Sequence, residues 1–165
     1  MRVGRQFTAA AHFARRHWGW TLAALVFVFW WGIPLARQAY YDAETRKLCA
    51  MDGGARVFER VKLPAERFDE YGSVRIPLLR YAKQTDEFVF TWEVNELSRP
   101  LTSLGDLTLS RDHFQIIRRK DSKVLGEATS YLRRGGDPYV PWEPSSFRCP
   151  DAAGVQELIR LVFVK

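Results

Sequence analysis

The chain has 165 residues, 25 basic and 19 acidic, a net charge of +6 and an isoelectric point near 9.6. That length holds one globular domain with a short appendage and excludes two ordinary domains. Five of the basic residues, Arg2, Arg5, Arg15, Arg16 and Arg37, precede residue 38 with no acid among them, leaving 20 basic against 19 acidic residues in the remainder. A near-neutral remainder lacks the basic surface that phosphate binding requires, so nucleic acid is not an expected partner.

Residues 17–36 carry no formal charge apart from His17. As a helix they would cover about 30 Å, the thickness of a bilayer core. Trp18 and Trp20 mark one end, and Trp30, Trp31, Tyr40 and Tyr41 the other, where amphipathic rings favour the headgroup layer. Residues 35–41 offer no small-x-small exit for a signal peptidase, so the segment is expected to stay as an uncleaved anchor. The organisation read from the sequence is a basic cytoplasmic arm at 1–16, a transmembrane helix at 17–37 and an extracytoplasmic α+β domain at 38–165. Orientation follows from the positive-inside bias. Four arginines flank the near side, whereas Arg37, Arg46 and Lys47 on the far side are offset by Asp42 and Glu44. In a Gram-negative cell this places the protein in the inner membrane as a single-pass protein with a periplasmic domain.

Residues 38–51 lack Gly and Pro, so the anchor helix is expected to continue outward until Asp52-Gly53-Gly54. Cys49 and Cys149 are the only cysteines. In an oxidising compartment a lone pair reads as a disulfide, and closing so long a loop is worth about 4.7 kcal/mol in the chain-entropy model. A zinc site needs four ligands, and beyond residue 37 only His113 joins the two cysteines, so no metal and no cofactor is expected.

The alternation of Val57, Val61 and Leu63 with Phe58, Arg60 and Lys62 predicts a strand, followed by a short helix from Pro64. Residues 74–83 fit an edge strand or a brief helix, because Pro77 interrupts the apolar run. Residues 86–97 are the clearest strand, with Phe88, Phe90, Trp92 and Val94 on one face, which reads as core. Leu107 and Leu109 continue the period. At Ser110-Arg111-Asp112-His113 the apolar parity switches to Phe114 and Ile116, which suggests a turn or bulge. A strand from Val124 to Leu132 follows, and then either a helix over 154–160 with a closing strand over 161–164 or a single helix, which fits nearly as well. The fold class is α+β: an N-terminal transmembrane helix, then a small domain with a mainly antiparallel sheet and short helices.

No nucleophile-base pair, metal cluster or phosphate-cradling glycine loop has its required pattern. Asp112 and His113 are adjacent, so on an extended chain they point apart. Gly53-Gly54 and Gly135-Gly136 read as turns that permit positive φ. Pro138, Pro141 and Pro144 recur every third residue with Tyr139, Trp142 and Phe147 among them, a polyproline-type ridge suited either to docking a protein partner or to covering the sheet. Arg118, Arg119, Lys120, Arg133 and Arg134 form a candidate basic patch, suited to anionic headgroups or an acidic partner; a solvated hairpin edge explains them equally well.

The run Leu48-Cys49-Ala50-Met51-Asp52-Gly53-Gly54, with Val57-Phe58-Glu59, Leu63-Pro64, the later Gly-Gly-Asp and Pro-Ser-Ser-Phe-Arg-Cys-Pro, resembles a group of small bacterial single-pass membrane-anchored proteins. The resemblance implies bacterial origin and an envelope location, and brings no activity or catalytic residue with it. The expected role is a non-enzymatic envelope protein whose extracytoplasmic domain binds a protein partner, as an accessory part of a membrane assembly. The alternatives are an anchored enzyme using His113, Asp112 or the pair Glu93 and Glu127, and a lipid- or ligand-binding module with a cavity lined by Phe88, Phe90 or Trp92.

Overall fold

A computed structural model describes residues 18–98, 107–138, 143–151 and 154–165. The arm at 1–16, His17, and the ridge residues Tyr139, Pro141 and Trp142 lie outside the described residues. Helix α1 runs from Trp18 to Asp52, 35 residues, and is long and apolar enough to cross a membrane. Its side chains from Trp18 to Trp31 are exposed. Between Val28 and Gly32 it widens into a π turn, where the Ile33 amide donates to Val28 O, five residues back. Pro34 explains the widening. Its ring has no N–H to give and crowds the preceding carbonyls, so the turn opens to accommodate it. Beyond the span the helix continues unbroken to Asp52 as its polar composition predicts, and Gly53 and Gly54 end it, with Gly54 at φ +112°.

The domain is built on a five-stranded antiparallel sheet. Strands β1 (Gly54–Val57), β3 (Phe88–Ser98), β4 (Thr108–Arg118) and β5 (Lys123–Arg134) lie in the order β1-β5-β4-β3, and β6 (Ser146–Cys149) also pairs with β5. β1 pairs with residues 126–129 of β5 and β6 with residues 131–134, so the two short strands share one edge of β5 end to end. β2 (Val61–Lys62) pairs in parallel with β7 (Phe163–Val164), which directly follows helix α2 (Val155–Val162). The single strand expected from Val57 to Leu63 is thus two. The chain bends at 58–60, where the Phe58 and Glu59 amides both donate to Leu125 O. A 3-10 turn at Ala65–Arg67 follows Pro64, and another at Leu79–Tyr81 follows a single bridge from Leu78 to Phe90, so the ambiguous stretch contains a touch of each structure foreseen for it.

The two faces of the sheet are covered by different helices at opposite ends. On one face Phe88, Phe114, Ile116 and Ala128 meet Leu158, Ile159 and Val162 of α2. Phe88 sits edge-on to Phe163 at 5.0 Å. Gly126 makes this approach possible, because a Cβ there would stand 3.0 Å from both Arg56 O and Val162 Cγ2. On the other face the outer end of α1 lies over Tyr131 and Arg133, both buried, and Leu109, paired with Arg133, is buried on the same side.

This arrangement corrects two expectations. Residues 110–113 are neither a turn nor a bulge but the middle of β4. Leu109 and Phe114 differ in parity because α1 buries one face and α2 the other. The extra residues lie on the neighbouring strands: Leu97 between Glu96 and Ser98 on β3, opposite Leu109 and Ser110, and Leu125 on β5, opposite Ile116 and Ile117. Nor is the aromatic face of β3 core throughout. Phe88 is buried and Phe90 half-buried, but Trp92 is 50% and Val94 54% exposed. α2 has only 8 residues, about 12 Å, and does not reach them.

Replacing Gly126 by Val overpacks the α2 contact. We expect the full chain in detergent to lose about 1–3 kcal/mol of unfolding free energy in a urea titration, and no change would mean that α2 does not sit this close to the sheet.

Candidate functional site

Two regions bring functional side chains together: the junction between α1 and the sheet, and the free edge at β3. The junction arises from helix periodicity. Gln38, Asp42, Thr45, Cys49 and Asp52 recur four and three residues apart, which aligns them along one side of α1. Each is engaged by the domain or its own helix. Gln38 Nε2 donates to Asp137 Oδ1 and Ser145 Oγ, both at 2.7 Å. Asp42 Oδ1 accepts from Arg133 Nε at 2.8 Å. Thr45 is wholly buried and donates back to Tyr41 O. Cys49 is bonded to Cys149, 100 positions along the chain, with Cα atoms 5.9 Å apart. Asp52 accepts from the Tyr131 hydroxyl at 2.5 Å and from Arg111 Nη2 at 2.9 Å.

Arg133 is the centre of this junction. Only 4% of its side chain is exposed, yet Nε is paired with Asp42 and Nη1 donates to Gly135 O, Ser145 O and Ser145 Oγ. Gly135 and Gly136, at φ +78° and +86°, let the chain turn back over it, and a Cβ at Gly136 would strike Leu107 Cδ1 at 2.6 Å. These glycines serve a turn, as their sequence suggested.

The remaining candidates fall as follows. Arg118 is half-buried at the far end of the β4–β5 hairpin, gripping Glu59 Oε1 at 2.6 Å and Asp121 through both Nε and Nη2. Arg119 donates to Lys83 O, and Lys120 is exposed. Because Arg118 pairs with Lys123 at one end of the ladder and Arg134 with Thr108 at the other, the five basic residues stand at opposite ends of the sheet. Of the described ridge members, Pro138 is buried, Pro144 exposed and Phe147 half-buried beneath Arg46, whose guanidinium lies 4.8 Å from the ring centroid.

Asp112 and His113 point to opposite faces. Asp112 is buried and accepts from Arg148 Nη1 at 3.0 Å, which also donates to Ser130 Oγ. His113 Nδ1 is 3.1 Å from Thr129 Oγ1, and Nε2 is 3.9 Å from Glu127 Oε2. The register sets Glu93 directly opposite His113, so Glu93, His113 and Glu127 do share a face. No group of three metal-ligating side chains occurs among the described residues. Two adjoining grooves, of about 180 and about 500 Å³, run along residues 74–88 beside Arg75, Ile76, Pro77 and Asp86. Phe88 lines one of them; neither reaches Phe90 or Trp92.

The free edge of β3 is the feature that sequence reading missed. It carries Trp92, Val94 and Leu97, the last 47% exposed. Trp92 lies flat against Phe114, centroids 6.0 Å apart, which holds the indole in a defined orientation at the surface. A signal was present, since β3 carries Glu93 and Glu96, the kind of charge that edge strands use against unwanted pairing.

Protonation follows the contacts. Burial disfavours the Asp137 carboxylate, but hydrogen bonds from Ser145 and Gln38 and the nearby Arg133 charge outweigh it and hold the group below its usual range. Arg118 holds Asp121 down to about 2, and Arg118 with Lys123 lowers Glu59. Burial first, then the Asp52 carboxylate, raises the Tyr131 phenol, which stays a neutral donor. A depressed carboxyl adds stability above its unfolded value, about pH 4, and loses it as the pH falls through the folded value. A raised phenol adds stability below about pH 10 and loses it as the pH rises past that. Asp137→Asn should therefore lower stability at pH 7 by about 1–2 kcal/mol and flatten the acid limb of a stability–pH profile below about pH 4. Arg133→Ala, which strands Asp42 and the turn carbonyls, should cost about 3–5 kcal/mol; thermal unfolding followed by near-UV circular dichroism would check both.

No protein-family model, no curated protein and no solved structure matches this chain.

Proposed function

We propose that this is a non-enzymatic, membrane-anchored envelope protein whose extracytoplasmic domain binds a protein partner as an accessory subunit of a membrane assembly. The observation that carries the proposal is the rigid junction. A flexible tether would suffice for an anchored domain that acts on diffusing material. Here α1 passes without a break from the apolar span into the domain and is fixed by a disulfide and a row of charged hydrogen bonds. Such a joint holds the domain at one height and one angle, as docking against a neighbour in the same membrane requires. The exposed apolar edge of β3 is available to that neighbour. The disulfide agrees with an oxidising compartment, and the arginines before the span favour a cytoplasmic amino terminus in a bacterial inner membrane.

A second reading, an anchored enzyme acting on envelope material, is supported by the register that sets Glu93, His113 and Glu127 on one face. It lacks an enclosed cavity at that place among the described residues, and for this reason partner binding is preferred.

Orientation and compartment are tested with a membrane-impermeant alkylating reagent on intact cells. We expect Cys49 and Cys149 to be labelled only after treatment with an impermeant reductant. Thiols that react without reduction, and only after lysis, would place the domain in the cytoplasm. Partner binding is tested by crosslinking in native membranes and recovery of the tagged full-length chain. A discrete heavier species is expected, and its absence would remove the proposal.

A further inference from the structure

We infer that the free edge of β3 is a strand-accepting site for an extended segment of a partner whose residues alternate between apolar and basic. This inference rests on the partner-binding reading above and names the partner's chemistry.

The edge is built to accept a strand, because the chain itself begins to add one. Phe90 N donates to Pro77 O, and Leu78 bridges Phe90 in parallel. The chain then turns away into the 3-10 turn at Leu79–Tyr81. Hydrogen-bonding groups on a strand point to the same side every second residue. Since Phe90 presents its amide outward, Trp92 and Val94 do so as well. Among the described residues no strand pairs with β3 on that side beyond Phe90. A row of backbone donors and acceptors therefore stands open beside an exposed apolar strip, the arrangement used in recognition by β-strand addition.

The two faces of β3 specify different side chains on the incoming strand. Trp92 and Val94 share the α2 face but lie beyond its reach, half exposed, with the indole set against Phe114. An apolar residue laid beside them would be removed from water. On the opposite face Glu93 is exposed and stands across from His113, with no Lys or Arg on β3. A basic residue beside Glu93 completes a cross-strand ion pair, and an acidic one meets like charge. Period-two alternation of apolar and basic residues satisfies both faces together. The same exposed carboxylate disfavours a second copy of this chain paired about Glu93, since two Glu93 side chains would then meet across the seam.

The test uses the full-length protein in detergent and three labelled nine-residue peptides read by fluorescence anisotropy. One alternates Val and Lys, one has the same composition in blocks, and one alternates Val and Glu. The alternating Val/Lys peptide should bind the wild type, and the other two at least about tenfold more weakly. Val94→Pro removes an outward amide that pairs with no strand among the described residues, a substitution edge strands tolerate. It should weaken the Val/Lys peptide at least about tenfold while leaving the thermal midpoint in place. Glu93→Lys should reverse the preference toward the Val/Glu peptide. Equal binding of the block peptide, or unchanged binding by both variants, would overturn the inference. Self-association of the wild type that Val94→Pro abolishes would also overturn it, by making the occupant a second copy. In native membranes, a crosslinked partner lost with Val94→Pro supports the edge. A partner retained by that variant overturns the edge and leaves partner binding intact, whereas no partner even for the wild type removes the underlying reading.

Discussion

The structure depends on the ion pair between Asp42 and Arg133, because it joins the anchor to the sheet. An arginine with 4% of its side chain exposed is tolerable only if its charge and donors are met. Asp42 supplies the charge, and the carbonyls of Gly135 and Ser145 the remaining acceptors. The requirement shapes the surrounding chain. The turn at 135–136 must fold over the guanidinium, which demands positive φ at both positions, and Asp137 must then reach Ser145 and Gln38 to close it.

A polar seam also suits a helix whose other half is long and apolar enough to cross a membrane. Were the α1 stripe apolar, it would extend the hydrophobic stretch beyond Arg37 and leave the depth of the span undefined. A stripe of Gln38, Asp42, Thr45 and Asp52 ends the apolar stretch while still holding the domain, with the disulfide at Cys49 locking the register between them. The consequence for dynamics is a joint with few soft torsions. Movements of the helix are passed to the sheet rather than absorbed by a linker.

The sheet divides its faces between two covers, one at each end, and among the described residues only Pro77 and Leu78 meet the outer edge of β3. α2 meets the Phe88 end and α1 the Leu109 end. β3 begins buried under α2 and emerges from it by Trp92, so a strand whose sequence reads as uniformly half-buried is core at one end and surface at the other. Its acidic residues discourage edge-to-edge association of that surface.

Local properties determined much of this protein: the long apolar helix, from twenty uncharged residues between arginines; its continuation to Asp52, from helix-forming composition ended by two glycines; the antiparallel α+β class, from period-two runs; and the cysteine pair, from there being only two. These are legible because each rests on hydropathy or backbone preference over a few residues. What the tertiary structure alone decided is which face of each strand is covered and which polar residues meet. The parity switch in β4 looked like a break because one sequence cannot show that two helices cover opposite faces. Arg133 looked like part of a basic patch because its partner Asp42 lies 91 residues away. Trp92 looked like core because the length of α2, and where it stops on the sheet, is a property of the packed domain and not of the strand.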